Sequence, residues 1–124
     1  MLNEKMRVFL KNLSKSQKLQ YALHIAKEEL EIVEKKFPDE VHARKWLMKN
    51  FGDTTYKSKY DSGFFAASYA VCLASCESLQ EAIEETKLLD YEIKKSNYEE
   101  ALLGIAYQAS RVDDLLEEKL MKIH

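Results

Sequence analysis

Apolar residues recur every three or four positions along most of this chain, which is the spacing of an amphipathic helix. The longest such pattern covers residues 14–36, where charged residues occupy the opposite side, and Pro38 ends it. A shorter pattern around Met6 predicts another helix before residue 14. Pro38, followed by acidic residues, is typical of a helix start and predicts a helix over about 38–50. The apolar positions of the long helix are Leu19, Leu23, Ala26, Leu30, Val33 and Phe37.

Residues 64–76 differ from the rest because they contain no charged residue, in a chain that is 32% charged. A helix that is apolar on all sides has to be surrounded by protein. This segment is too short to cross a bilayer, which needs about 20 residues. It therefore predicts a central helix at about 63–77.

Two further helices are predicted from their starts. Ser78 with Glu81, and Ser96 with Glu99, have the spacing of a capping box. The helices should cover about 79–94 and 97–122. Residues expected to be buried are Leu79, Ala82, Ile83, Thr86, Leu89 and Ile93 in the first, and Tyr98, Leu102, Ile105, Ala109, Val112, Leu116 and Leu120 in the second.

These patterns predict that residues 1–124 form a single all-α domain, a compact antiparallel bundle of five or six helices. Hydrophobic residues make up 46% of the 124 residues, which excludes the disordered class. The three glycines and one proline leave little material for a Gly-rich phosphate loop. Cys72 and Cys76 lie in the apolar helix, where we expect buried thiols. With no targeting or transmembrane segment in the sequence, we expect a cytoplasmic protein.

The net charge is −2, but the charges are unevenly distributed. Residues 1–60 contain 13 Lys and Arg against 8 Asp and Glu, whereas residues 61–124 contain 6 against 13. Basic N-terminal helices packed beside acidic C-terminal ones would explain this. So would an acidic face that binds a basic partner.

The residues offer no strong catalytic, metal or cofactor motif, so we expect a non-enzymatic protein without a cofactor. Asp39 and His42 share a helix face, but the Glu-x-x-His pairs of a di-metal bundle are missing. All-α magnesium-dependent nucleotide hydrolases use Glu-Glu-x-x-Glu, and here Ile32 follows Glu28 and Glu29 where the third Glu should be. We therefore interpret Glu28, Glu29 and Glu31 as a solvated face. Such a hydrolase, using these three and a downstream acid, is the alternative function.

The function that we expect is inhibition or neutralisation of a macromolecular partner through protein binding. A protein with a basic surface is the expected partner, and a homo-oligomer is left open. The low density of basic residues around Tyr56 and Tyr60 argues against a nucleic-acid partner, and no segment is long and apolar enough to span a membrane. If residues 97–122 form one continuous helix, Asp113, Asp114, Glu117 and Glu118 lie close together within two turns. The candidate partner-binding residues are Glu84, Glu85, Asp113, Asp114, Glu117, Glu118, Tyr56 and Tyr60.

Residues 22–47 resemble a family of immunity proteins of bacterial toxin systems. The resemblance lies in an Ala-containing helix, an aromatic–Pro–Asp break at Phe37, Pro38 and Asp39, and a basic stretch at Arg44 and Lys45. His42 and Ala43 stand where that family more often has Arg-Pro. The resemblance implies an all-α architecture and protein binding, and it supplies no catalytic residue. The inhibitor that we expect is of either the immunity type or the phage anti-defence type.

Overall fold

A computed structural model describes residues 3–39 and 58–122 of the chain. These residues form six α-helices and no strand, which confirms the all-α prediction. The helix predicted over 38–50 lies outside the described residues. The helices are α1 (Glu4–Lys11), α2 (Lys15–Lys36), α3 (Lys59–Ser75), α4 (Leu79–Lys94), α5 (Tyr98–Ser110) and α6 (Leu116–Met121).

The apolar helix α3 lies at the centre, as the sequence predicts, and begins one turn earlier than expected. Helices α2, α4 and α5 pack around it. Phe64, Ala67 and Val71 are fully buried, and so is Cys72. Small side chains on α3 let three neighbouring helices approach its axis, which explains why it carries so many Ala and Ser residues.

The two ends of the α2–α3 pair are fixed by capping interactions. Ser14 and Gln17 form a complete capping box at the start of α2. Helix α2 ends at Lys36, just before Pro38, as predicted. The Lys36 ammonium donates to the carbonyl oxygens of Ala74 and Cys76, at 3.0 and 2.5 Å, so a cation caps the C-terminus of α3.

The predicted capping box at Ser96 is wrong, because the N-cap of α5 is Asn97. The Asn97 side chain accepts a hydrogen bond from the Glu100 N–H. Ser96 instead takes a positive φ of 60°, which turns the chain between α4 and α5. The other predicted cap, Ser78, accepts from the Glu81 N–H as expected.

The single helix predicted over 97–122 is also wrong, because the chain breaks into α5 and α6. Residues 111–115 form a turn in which the Asp113 carboxylate accepts from the Leu115 N–H at 3.0 Å. This local hydrogen bond competes with the helical one, as Asp side chains often do. The break leaves Val112 exposed, against expectation, while Leu116 and Leu120 are buried as predicted.

Helix α4 buries a narrower stripe than its sequence predicts. Ala82, Leu89 and Ile93 face the core, but Leu79 and Ile83 are exposed. The helix packs against α3 and α5, and a Cβ atom on Gly104 of α5 would lie 2.2 Å from Leu89 Cδ2. A glycine at this position therefore allows α4 and α5 to pack closely.

Candidate functional site

The outward side of α4 carries a row of acidic and large apolar side chains. Glu81, Glu84, Leu88 and Tyr91 follow one another at three- and four-residue steps, so they lie on one side of the helix. Leu88 is 68% exposed and Tyr91 is 61% exposed. Large apolar side chains that extend into solvent beside charged ones are typical of a protein-binding surface.

A buried polar network fixes the edge of this row to α5. The buried Gln108 donates through Nε2 to the Glu85 carboxylate at 3.0 Å. Its Oε1 accepts from Ser75 Oγ at 3.0 Å and from Arg111 Nη1 at 2.9 Å. Arg111 also lies 3.9 Å from a Glu81 oxygen and 4.0 Å from a Glu85 oxygen. The network holds two of the surface carboxylates in place before any partner binds.

One further aromatic side chain is exposed on α5. Tyr107 is 44% exposed and lies one helical turn before Arg111. We use the name α4–α5 face for Glu81, Glu84, Glu85, Leu88, Tyr91 and Tyr107.

Negative charge predominates around the α4–α5 face. Residues 79–111 contain seven acidic and four basic residues. Two of the basic groups are engaged locally: the Lys87 ammonium lies 3.2 Å from the Glu84 carboxylate, and that of Lys95 lies 4.5 Å from the centre of the Tyr91 ring. The surface therefore combines aromatic and aliphatic anchors with a negative surround.

The structure separates the six predicted acids instead of gathering them. Glu84 and Glu85 belong to the α4–α5 face, but Asp113 and Asp114 lie in the turn before α6. The predicted four-acid cluster on one helix is therefore wrong, because the helix breaks at these residues. Asp113 pairs with Lys119, whose ammonium is 2.8 Å away.

The two acids of α6 differ in their surroundings. Glu117 accepts from the backbone N–H and the side-chain amide of Asn3, at 3.0 and 2.6 Å, so it joins α6 to the start of α1. Glu118 is exposed. Their predicted role in partner binding stays a prediction.

The predicted tyrosine pair falls partly outside the described residues, since Tyr56 is not among them. Tyr60 is half-buried, and its ring centre lies 6.1 Å from that of Tyr98. The Lys15 ammonium lies 4.5 Å from the centre of the Tyr60 ring, a distance typical of a cation–π contact. Tyr98 donates through its hydroxyl to Asp61 at 2.6 Å. Tyr60 thus packs at the junction of α2, α3 and α5, and partner binding by it stays a prediction.

The expectation of a solvated face over Glu28, Glu29 and Glu31 is wrong at Glu29, which is 1% exposed. Its Oε1 atom is buried without a hydrogen-bond partner. Burial raises the pKa of this carboxyl to about 7; the negative charges of Asp113 and Glu28 add to the rise, and Lys119 opposes it.

The exposed side of this cluster is a groove of about 500 Å³ between α2 and the turn after α5. The Lys119 ammonium lies between the carboxylates, 2.8 Å from Asp113 and 3.6 Å from Glu28. Within residues 3–39 and 58–122, no three acidic, histidine or cysteine side chains are placed to hold a metal ion together. An ammonium group of the chain itself thus lies between these two carboxylates.

Sequence reasoning missed the burial of Glu29, although a signal for it was present. Ala22, Ile25, Ala26 and Val33 are all buried, and Glu29 falls between them at the same helical spacing. An apolar stripe interrupted by one acid predicts a buried carboxyl. By contrast, nothing in the spacing along the chain indicated the Gln108 network, because its members come from three helices.

The chain matches no known protein family, no curated protein and no solved structure with which it was compared. No described helix is both long enough and apolar enough to cross a membrane. A proposal about function therefore depends on the surface chemistry.

Proposed function

We propose that this protein is non-enzymatic and inhibits or neutralises a macromolecule by binding a partner protein through the α4–α5 face. The observation that carries the proposal is the exposure of Leu88 and Tyr91 beside Glu81, Glu84 and Glu85. Protein interfaces favour aromatic anchors surrounded by polar groups. The negative surround favours a partner with Lys and Arg on its binding surface.

The same chemistry supports a protein partner over nucleic acid. Nucleic-acid binding depends on several Lys and Arg side chains that contact phosphates. The α4–α5 face has carboxylates where such a surface would need cations, and Arg111 beside it is already bonded to Gln108.

An immunity-type or phage anti-defence role, within the cytoplasm, is the inhibitor class that we favour. The resemblance of residues 22–47 supports the immunity type, together with the break at Phe37, Pro38 and Asp39 directly after α2. A small helical scaffold that presents an acidic face suits the neutralisation of a basic toxin or nuclease.

A magnesium-dependent nucleotide hydrolase is a second candidate, since Asp113 supplies a downstream acid against Glu28 and Glu29. Lys119 argues against it, because its ammonium lies between the carboxylates of Asp113 and Glu28. Incubation with a nucleotide panel and magnesium separates the two proposals. We expect no turnover. Turnover by the wild type that is abolished in Glu28→Gln would contradict the protein-binding proposal and support the hydrolase.

Capture of a partner under cross-linking tests the proposed function. The baits are the wild type and Leu88→Ser/Tyr91→Ser, with Val8→Ser/Met121→Ser as a matched control that changes two exposed apolar residues on α1 and α6. We expect the wild type and the control to capture the same protein and the α4 variant to lose it. Equal capture by all three would contradict the assignment to this face. A captured partner without excess basic residues would contradict the proposed charge complementarity.

A further inference from the structure

Glu29 lies where α2 meets the turn between α5 and α6. Its carboxyl is buried, and Oε1 lacks a hydrogen-bond partner. An ionised carboxylate in such a place loses hydration that the protein does not replace, so the neutral form is favoured. The resulting pKa of about 7 means that the charge changes within the physiological range.

The charged groups that act on Glu29 come from three parts of the chain: Glu28 on α2, Asp113 in the turn and Lys119 on α6. Glu28 is also 3.6 Å from the imidazole of His24. The groove rim adds Lys27, Glu31 and Lys35. The acidic residues of α3 and α5, namely Asp61, Glu99 and Glu100, lie in first turns beside the start of α2, where Lys15 contacts Tyr60 and Tyr98, and not beside Glu29.

The balance of charge in this cluster depends on the proton at Glu29. While Glu29 is neutral, the Lys119 ammonium forms ion pairs with only two carboxylates, those of Asp113 and Glu28. When Glu29 ionises, a third negative charge, this one buried, is added to the two carboxylates that pair with the one ammonium. Admitting water to the cluster would relieve both the repulsion and the lost hydration.

The element best able to move is α6. It has only six residues, and only Leu116 and Leu120 of its side chains are buried. Lys119 forms an ion pair between α6 and α2, with its ammonium 3.6 Å from the Glu28 carboxylate. Short elements with few buried contacts open at the smallest cost in free energy.

We propose that loss of the Glu29 proton loosens the turn at 111–115 and helix α6 from α2, and that its return restores the contact. The pH-sensitive contact is independent of the proposed protein binding. Movement of the turn would nevertheless affect the α4–α5 face, because Arg111 at the start of the turn lies against Glu81 and Glu85.

Amide NMR spectra recorded between pH 5.5 and 8.5 test the proposal. We expect the signals of residues 113–121 to shift or broaden with one midpoint near pH 7 in the wild type. Glu29→Gln should hold them in the low-pH form throughout. His24→Gln, which removes the imidazole 3.6 Å from Glu28, is the matched control and should leave the transition unchanged.

The carboxyl carbon signal of Glu29 in the wild-type protein gives a second readout, which remains available if Glu29→Gln fails to fold. It should titrate with the same midpoint as the amides of 113–121. A Glu29 midpoint near the ordinary 4.5, a titration near 7 without change at 113–121, or a transition lost in His24→Gln would overturn the proposal.

Discussion

Glu29 shows how one residue links the sequence to the stability of the fold. In the folded protein the pKa of Glu29 is about 7, whereas in the unfolded chain the pKa of the same carboxyl is 4.5. Between these values the folded state binds more protons, so the free energy of unfolding falls as pH rises. Asp90 acts in the same direction, because burial raises its pKa to about 6.

Urea unfolding at pH 5 and pH 8 measures this effect. From the shift at Glu29, the wild type should lose about 2.5 kcal/mol of stability between these values, before other groups are counted. Glu29→Gln should be less dependent on pH and more stable than the wild type at pH 8. Glu31→Gln, at an exposed position of the same helix, is the control and should follow the wild type. Identical pH dependence in Glu29→Gln and wild type would contradict the assignment.

At the scale of helices, the sequence predicts the elements well and some of their boundaries poorly. Periodicity and caps place α2, α3 and α4 within a turn of their observed bounds, because both signals are local. The break after Ser110 was missed because the apolar spacing continues through Leu116 and Leu120, while the Asp113 side-chain hydrogen bond that interrupts the helix leaves no periodic trace.

The contact of α4 with α5 depends on Gly104. Gly104→Ala should destabilise the protein by about 1 kcal/mol, because a crowding cost of roughly 1–3 kcal/mol exceeds the gain of about 1 kcal/mol in helix propensity. In a Leu89→Ala background the crowded methyl group is gone, so the same change should stabilise the protein. Chemical unfolding of the four proteins completes the double-mutant cycle. An equal effect of Gly104→Ala in both backgrounds would contradict the packing.

The surface residues of α4 show what the sequence could and could not indicate about the site. An acidic C-terminal half is visible in composition alone, and the structure places two of the predicted acids, Glu84 and Glu85, on α4, where Glu84 is exposed and Glu85 is half-buried. The separation of Asp113, Asp114 and Glu117 from them follows from the helix break and from Asn3, which lies 114 positions away from Glu117. Contacts of this range are fixed by tertiary packing, which spacing along the chain does not encode.

At the scale of the whole molecule, the bundle depends on the apolar helix α3. Ala67→Glu should unfold the protein, because an unpaired charge would be buried among α2, α4 and α5. Far-UV circular dichroism should show a helical content well above half in the wild type and its loss in the variant. Gln20→Glu, at an exposed position of α2, should retain the wild-type spectrum. A native melting curve for Ala67→Glu would mean that α3 is not central.

The acidic α4–α5 face is the basis of the proposed function, and its field should act before contact. Electrostatic steering weakens with salt, because the Debye length falls from about 30 Å at 0.01 M to about 10 Å at 0.1 M. A matched pair of variants separates the two groups of acids. Glu84→Gln/Glu85→Gln removes charge from the face, and Asp114→Asn/Glu118→Gln removes as much from the turn and α6.

The most direct test is the association rate of the captured partner with these proteins across that range of salt. The account predicts that the wild-type rate falls as salt rises, that the face variant associates more slowly with a weaker salt dependence, and that the turn variant behaves as the wild type does. A rate that is insensitive to salt, or lowered only by Asp114→Asn/Glu118→Gln, would contradict the α4–α5 face as the binding surface.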